Sequence, residues 1–234
     1  MKDFNFKKFA VKQAPSVFRV GTDAVLLGAL ASVSGAQHIL EVGSGTGIIS
    51  LMLAQRNPNA TILAIDINSH AVDLSEINFS NAPFSRRMKA ELQDFKTFET
   101  EQKFDLIISN PPYFEINASG KDILARQRLE LNFSGLINKA SQLLSEKGLF
   151  TVIIPLDSEK EFTENCFELK LFLQRKVSIK GIKTAEPKRV VLEYALVKSE
   201  PKIENFVIEK SPRVYSDEYL ELTKDFHLFH KKPL

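Results

Sequence analysis

The stretch Ile39-Leu40-Glu41-Val42-Gly43-Ser44-Gly45-Thr46-Gly47-Ile48 constrains the fold of this chain more than any other. Its apolar opening reads as a buried strand, alternating glycines stop that strand abruptly, and the amphipathic run Ile49 to Arg56 reads as a helix. A second apolar run, Thr61 to Ile65, supplies the parallel strand that completes a βαβ unit. Glycines at 43, 45 and 47 let the backbone take positive φ and let a ligand lie close to the main chain, with free N–H groups expected from the helix N-terminus that follows. Asp66 comes roughly twenty residues after the last glycine, at a strand's carboxyl end, where a carboxylate suits a ribose diol. The loop and its acid alone would also serve a nicotinamide or flavin enzyme. The spacing, however, is Gly-x-Gly-x-Gly, not the Gly-x-Gly-x-x-Gly expected around a pyrophosphate.

A second feature carries the chemistry. The run Phe104-Asp105-Leu106-Ile107-Ile108-Ser109 reads as another buried strand and ends in Asn110-Pro111-Pro112-Tyr113. The prolines stop the strand, so the tetrad projects from its carboxyl end as a polar lip beside an aromatic ring. An exocyclic amino group conjugated to a ring or carbonyl is planar and a poor nucleophile, because its lone pair is delocalised. The Asn110 side-chain oxygen and the Pro111 carbonyl can accept its two N–H bonds and favour a tetrahedral nitrogen, while Tyr113 stacks on the ring. Without the glycine loop, the same four residues would be no more than a strand stop and a turn.

Together these motifs resemble the class I methyltransferases that use S-adenosylmethionine (SAM). By that resemblance the loop Gly43, Ser44, Gly45, Thr46, Gly47 and the ribose acid Asp66, with Ile67 beside it, hold SAM, and Glu41 orients the loop and the ligand's amino-acid end. Asp94 matches the residue that binds the adenine amino group, and Phe95 packs on the adenine. The tetrad resembles the subset that methylates planar amino nitrogens: N6 of adenine, N4 of cytosine, N2 of guanine or a glutamine side chain. Near the N-terminus, Phe18-Arg19-Val20-Gly21-Thr22-Asp23 runs into Leu26-Leu27-Gly28. Read from the residues, this is a short β-like arm, a turn in which Thr22 or Asp23 can cap, and an apolar helix over the sheet. Val-Gly-Thr-Asp with Leu-Leu-Gly strongly resembles the bacterial tRNA1(Val) adenine-37 N6-methyltransferase family, and the match returns near the end in Tyr215-Ser216-Asp217-Glu218-Tyr219.

The resemblance implies that Arg19, Gly21 and Asp23 line the methionine end of the SAM pocket. It further implies catalysis by Asn110, Pro111, Pro112 and Tyr113, S-adenosylhomocysteine as product, no metal, and tRNA as partner through the anticodon loop of a valine acceptor. Ribosomal RNA, DNA or a release-factor glutamine are the other amino substrates such a tetrad could serve, and a non-catalytic RNA-binding module on a vestigial SAM fold is the reading from a different class. Residues 114–131, polar and variable in the family, read equally as a substrate-contacting lid and as a solvated connection.

The expected architecture is a single α/β domain, Rossmann-like. It has a seven-stranded, mostly parallel sheet, a C-terminal antiparallel hairpin that closes it, and helices on both faces. Residues 1–31 form an arm and helix, 32–200 the core and 201–234 an extension. Helices are expected near 22–31, 47–57, 69–81, 134–145, 158–170 and 216–226. Strands are expected near 39–42, 61–66, 87–90, 104–109, 148–154, 173–182 and 189–198, with 203–209 as an extra edge strand. Neither a signal peptide nor a spanning apolar stretch is evident, so a cytoplasmic protein without membrane association or an obligate protein partner is expected. The single cysteine, Cys166, reads as a core thiol, and four histidines show no metal-ligand grouping. With 31 basic against 29 acidic residues, net charge does not announce a nucleic-acid binder. Basic groups do gather on the arm (Lys7, Lys8, Lys12, Arg19), around the hairpin (Lys180, Lys183, Lys188, Arg189) and at the end (Lys231, Lys232), where they suit phosphates.

Overall fold

The computed structural model describes residues 2–111 and 133–228. Pro112, Tyr113, the 114–131 segment, His230, Lys231 and Lys232 lie outside the described residues. A minimal hairpin, β1 (Phe4–Asn5) and β2 (Ala10–Val11), precedes helix α1 (Thr22–Leu30). Then follow β3 (His38–Val42), α2 (Ile48–Arg56), β4 (Thr61–Asp66), α3 (Ser69–Ser80), β5 (Met88–Leu92) and β6 (Phe104–Ser109). The remainder is α4 (Phe133–Leu143), β7 (Leu144–Pro155), α5 (Glu159–Glu168), β8 (Phe172–Ile182), β9 (Arg189–Ala195), β10 (Lys202–Ser211), β11 (Val214–Tyr215) and α6 (Asp217–Thr223).

Nine strands form one sheet in the order β11-β10-β8-β9-β7-β6-β3-β4-β5. The seven expected strands are all present, and β3, β4, β5, β6 and β7 are parallel to their neighbours in that set. Strand β9 runs antiparallel between β7 and β8. The β8–β9 hairpin does not close the sheet, because β10 adds in parallel outside β8 and β11 outside β10. Helix α4 stops at Leu143 and the chain enters β7 at Leu144, four residues before the glycine at 148 where the apolar run marks a strand. Helix α6 ends at Thr223 rather than 226, so His227 sits beyond it. Among the described residues no helix is long and apolar enough to cross a membrane.

Alternation along the strands divides the core between the two faces of the sheet. Ile39, Ile62, Leu106 and Ile108 pack under α1, α2 and Phe79 of α3. Leu40, Ile107, Phe150 and Val152 pack under Leu136 and Ile137 of α4 and under Phe162 and Cys166 of α5. Helices α1 and α2 meet at Gly28, where a Cβ would come within 2.9 Å of the Met52 sulfur. The chain runs β3-β4-β5 in one direction across the sheet and β6-β7 in the other. The reversal between β3 and β6 opens the crevice in which sheets of this kind bind ligands.

Candidate active site

Two chain segments leave the sheet side by side at that reversal, the glycine loop after β3 and Asn110 after β6. Gly43, Gly45 and Gly47 take φ of +82°, +53° and +74°, as their alternation predicts, but for different reasons. A Cβ on Gly47 would stand 2.5 Å from a ring carbon of Phe79, whereas at Gly43 and Gly45 it would meet nothing within 4 Å. The first two glycines therefore leave open space above the loop, and the third lets α3 pack against it.

The free N–H groups expected of this loop are largely spent on its own shape. Gly43 and Ser44 N–H donate to the Ile65 carbonyl (2.9 and 3.0 Å), Gly47 N–H to the Ser44 carbonyl (2.7 Å) and Ser50 N–H, in the first turn of α2, to Glu41 Oε2 (3.1 Å). Gly45 N–H donates to Asp66 Oδ2 at 3.0 Å. The loop is thus a preformed wall, held in shape by its own hydrogen bonds. Helix α3 braces it: Ser75 Oγ lies 3.1 Å from both Ser44 Oγ and the Gly45 carbonyl, and Asn78 Nδ2 donates to the Thr46 carbonyl at 2.9 Å. Sequence reasoning missed Ser50, Ser75 and Asn78. The available signal was a polar side chain at a helix position facing the core.

Glu41 lies beneath the loop and is 1% exposed. Its Oε2 accepts from the Ser50 backbone and hydroxyl, while Oε1 has no hydrogen-bond partner among the described residues. Burial pushes its carboxyl up to about 8, with Asp66 adding a smaller push in the same direction and the Ser50 bonds opposing both. Asp66 is half-buried at the end of β4. Its Oδ1 accepts from Asn68 N–H at 2.9 Å and its Oδ2 from the loop, so each oxygen keeps a second lone pair for a ligand hydroxyl.

The strand ends beyond Asp66 also carry exposed apolar surface. Ile67 is 67% exposed and Leu92, at the end of β5, is 56% exposed. Phe95, expected on the adenine, is buried in the core with Val42, Ile65 and Phe98. Asp94 Oδ1 accepts from Lys96 N–H at 2.9 Å in a tight turn.

On the N-terminal side, Arg19 is exposed and Gly21 is the N-cap of α1 in extended backbone. Neither Thr22 nor Asp23 caps the helix as the sequence suggested. Asp23 Oδ2 instead accepts from Arg189 Nε at 3.1 Å and ties α1 to the start of β9. Asn110 is half-buried, yet its Oδ1 is buried without a partner among the described residues, and Pro111 behind it is buried. Glu41 pairs in register with Ile108, so alternation puts Glu41 and Asn110 on one side of the sheet. Of the expected site residues, the structure thus gathers the glycine loop, Glu41, Asp66, Ile67, Asp94 and Asn110 at one end of the sheet. Among the described residues no group of three or more His, Cys, Asp and Glu could hold a metal ion.

Comparison with known proteins places this arrangement. The methyltransferase small domain model matches residues 9–173. A relative from Flavobacteriaceae bacterium (strain 3519-10), named tRNA1(Val) (adenine(37)-N6)-methyltransferase, is 54% identical over 98% of this chain and 100% of its own. A relative of the same name from Phocaeicola vulgatus is 42% identical over 96% and 97%, and one from Citrobacter koseri is 33% identical over 97% and 95%. Among solved structures, a predicted O-methyltransferase from Agrobacterium tumefaciens superposes with a TM-score of 0.69 at 17% identity, covering 87% of this chain and 96% of that one. A methyltransferase from Pyrococcus furiosus gives 0.59 at 16% identity, covering 81% and 90%. These distant structures share the class I methyltransferase fold, and the sequence relatives are closer and span the whole chain. The chain belongs to the tRNA1(Val) (adenine(37)-N6)-methyltransferase family and carries its methyltransferase small domain.

Proposed function

We propose that this protein transfers the methyl group of SAM to N6 of adenosine 37, beside the anticodon of a valine tRNA, in the cytoplasm and without a metal. The observation that carries the reading is the buried Oδ1 of Asn110, without a hydrogen-bond partner among the described residues, at the end of β6 and one strand from the glycine loop. Burying an oxygen without a hydrogen bond costs roughly 1–3 kcal/mol, and a substrate amino group relieves that cost.

The residues around the reversal fit SAM. Glu41 Oε1, also without a hydrogen-bond partner among the described residues, suits the ammonium of its amino-acid end. The Asp66 carboxylate suits the ribose diol, the space above Gly43 and Gly45 admits the ligand, and Ile67 and Leu92 flank an adenine, with Asp94 beside it. When bound, SAM supplies an electrophilic methyl on a positively charged sulfur and leaves as S-adenosylhomocysteine.

The chain's own part is to present the amino group. Asn110 Oδ1 and the Pro111 carbonyl accept its two N–H bonds, which favours a tetrahedral nitrogen with its lone pair aimed at the methyl. Tyr113, by the family resemblance, stacks on the base. The target lies in a single-stranded loop, so swinging it into the site costs little unpairing. Positioning of this kind supplies much of the acceleration, and no general base is needed before attack, because the nitrogen sheds its proton readily once methylated.

Asn110→Ala tests the assignment. It should lower kcat by about a hundredfold or more while calorimetry finds SAM affinity within about twofold of the native enzyme. Lost SAM affinity with persisting turnover would sink it.

A further inference from the structure

The segment between β2 and α1 carries a feature that the reading above does not use. Phe18 is 84% exposed, the most exposed of the large apolar side chains among the described residues. It is not a loose end of chain. Val17, one residue before it, is 8% exposed and packs on Ala71 and Leu74 of α3. The Ser16 carbonyl accepts from Asn68 Nδ2 at 3.5 Å, and Val20 N–H donates to Gln13 Oε1 at 3.2 Å. With Val17 turned in, Phe18 is turned out.

The anchors at its two ends fix where this segment runs. Asn68 follows Asp66 at the end of β4, and Asp23 holds Arg189 at the start of β9. Those strands are four places apart in the sheet, about 19 Å at the usual strand spacing. The seven residue-to-residue steps from Ser16 to Asp23 reach about 23–25 Å when fully extended, so the path leaves little room for a detour. Helices α1, α2 and α3 share one face of the sheet. The segment therefore passes from the N-terminus of α3 to that of α1 by way of the N-terminal end of α2, where the glycine loop lies. Phe18 and Arg19 stand at the middle of that crossing, at the rim of the site.

Basic groups bound the same rim. Strand β8 is parallel to β10 and antiparallel to β9, which is itself antiparallel to β7. The β8–β9 turn, with exposed Lys183 and Lys188, thus lies at the end of the sheet that holds Asn110. An exposed aromatic ring beside an exposed arginine, at the same end of the sheet as a basic turn, matches a single-stranded nucleic acid: a flat base for the ring and phosphates for the charges. The exposed apolar surface that a cofactor needs is already present in Ile67 and Leu92, on the other side of Asp66.

We propose that Phe18 is a stacking platform for a base of the RNA substrate at the mouth of the site, which makes it a substrate-binding residue of this enzyme. The proposal rests on the tRNA reading above. The experiment compares native enzyme, Phe18→Ala and Phe18→Trp, each assayed for methyl transfer to unmodified valine tRNA, with SAM affinity measured by calorimetry. Phe18→Ala should lower kcat/KM for tRNA by roughly five- to a hundredfold, the usual range for loss of one base–aromatic stack. It should leave the SAM dissociation constant within about twofold, and Phe18→Trp should restore most of the loss. Unchanged kcat/KM in Phe18→Ala overturns the proposal. So does a weakened SAM affinity that accounts for the whole loss, which would place the ring in the cofactor pocket. A native enzyme that methylates no tRNA would overturn the underlying reading as well, and that failure would show before any variant was made.

Discussion

At the residue scale the proposed site includes buried oxygens without a hydrogen-bond partner among the described residues, and Glu41 is the clearest case. Burial holds its carboxyl near 8, so at neutral pH the free protein carries it mostly protonated. A ligand ammonium beside Oε1 would favour the charged form, so SAM binding should expel a proton. Calorimetry at pH 7 in buffers of different ionisation enthalpy should detect that release, and Glu41→Gln should abolish it. Affinity for SAM should rise with pH and level off above about 8. The folding sign is the opposite: a carboxyl raised from 4.5 to about 8 makes the folded state bind the extra proton, so this group's contribution to stability declines as pH rises through that interval. Asp66 acts differently, since it shapes the loop through Gly45 and is expected to hold the ribose. Asp66→Ala should raise the Michaelis constant for SAM at least about tenfold, the scale of one charged hydrogen bond lost, with kcat at saturation less affected. An unchanged constant would remove Asp66 from the ribose site.

At the scale of elements, the three loop glycines look alike in the sequence and differ in what they do. Gly45→Ala adds a Cβ to open space at φ +53°, so it should cost only about 1–2 kcal/mol of stability for the left-handed backbone while weakening SAM binding strongly. Gly47→Ala drives a Cβ into Phe79 at φ +74°. Overpacking adds to the backbone strain there, for about 2–5 kcal/mol in all. Denaturant midpoints paired with SAM titrations separate the two, and equal stability losses would refute the distinction. The strand–loop–helix unit and the β6 terminus were legible because their patterns are local: apolar runs, alternating glycines and a double proline. What stayed hidden depends on partners distant in sequence. Asp23 looks like a helix cap until Arg189 is brought beside it. The 203–209 strand was visible as an apolar run, but nothing local says that it pairs with β8 and keeps the hairpin from closing the sheet. The exposure of Phe18 could not be read from a sequence in which its neighbour Val17 is equally apolar.

At the scale of the whole molecule, the arm around Phe6 and Lys7 is packed against the 225–227 stretch, which also contacts α2. Phe6 bridges to His227, Lys7 N–H donates to the Phe226 carbonyl at 2.8 Å, and Gln55 of α2 donates to the Asp225 carbonyl at 2.9 Å. The His227 ring stacks on Phe6 with centroids 5.5 Å apart and lies 3.2 Å from the Tyr219 hydroxyl. Burial in this aromatic setting holds the imidazole below its ordinary value of 6.5. The unfolded chain then takes up a proton that the folded one resists, so stability should fall as pH drops below about 6.5. Urea midpoints at pH 7.5 and 5.5 should show the loss, and His227→Phe should reduce it; an identical pH dependence in the variant would assign the effect elsewhere. Asn78 of α3 holds both Lys12 of the arm and the Thr46 carbonyl of the glycine loop, and the central claim is that the site beside that loop performs one reaction. Methyl transfer from labelled SAM to unmodified valine tRNA, followed by nucleoside digestion and repeated with adenosine 37 replaced, tests that claim most directly. The account predicts labelled N6-methyladenosine that disappears with the replacement. Label that persists after the replacement, or that appears only on ribosomal RNA, DNA or a protein glutamine, would contradict it.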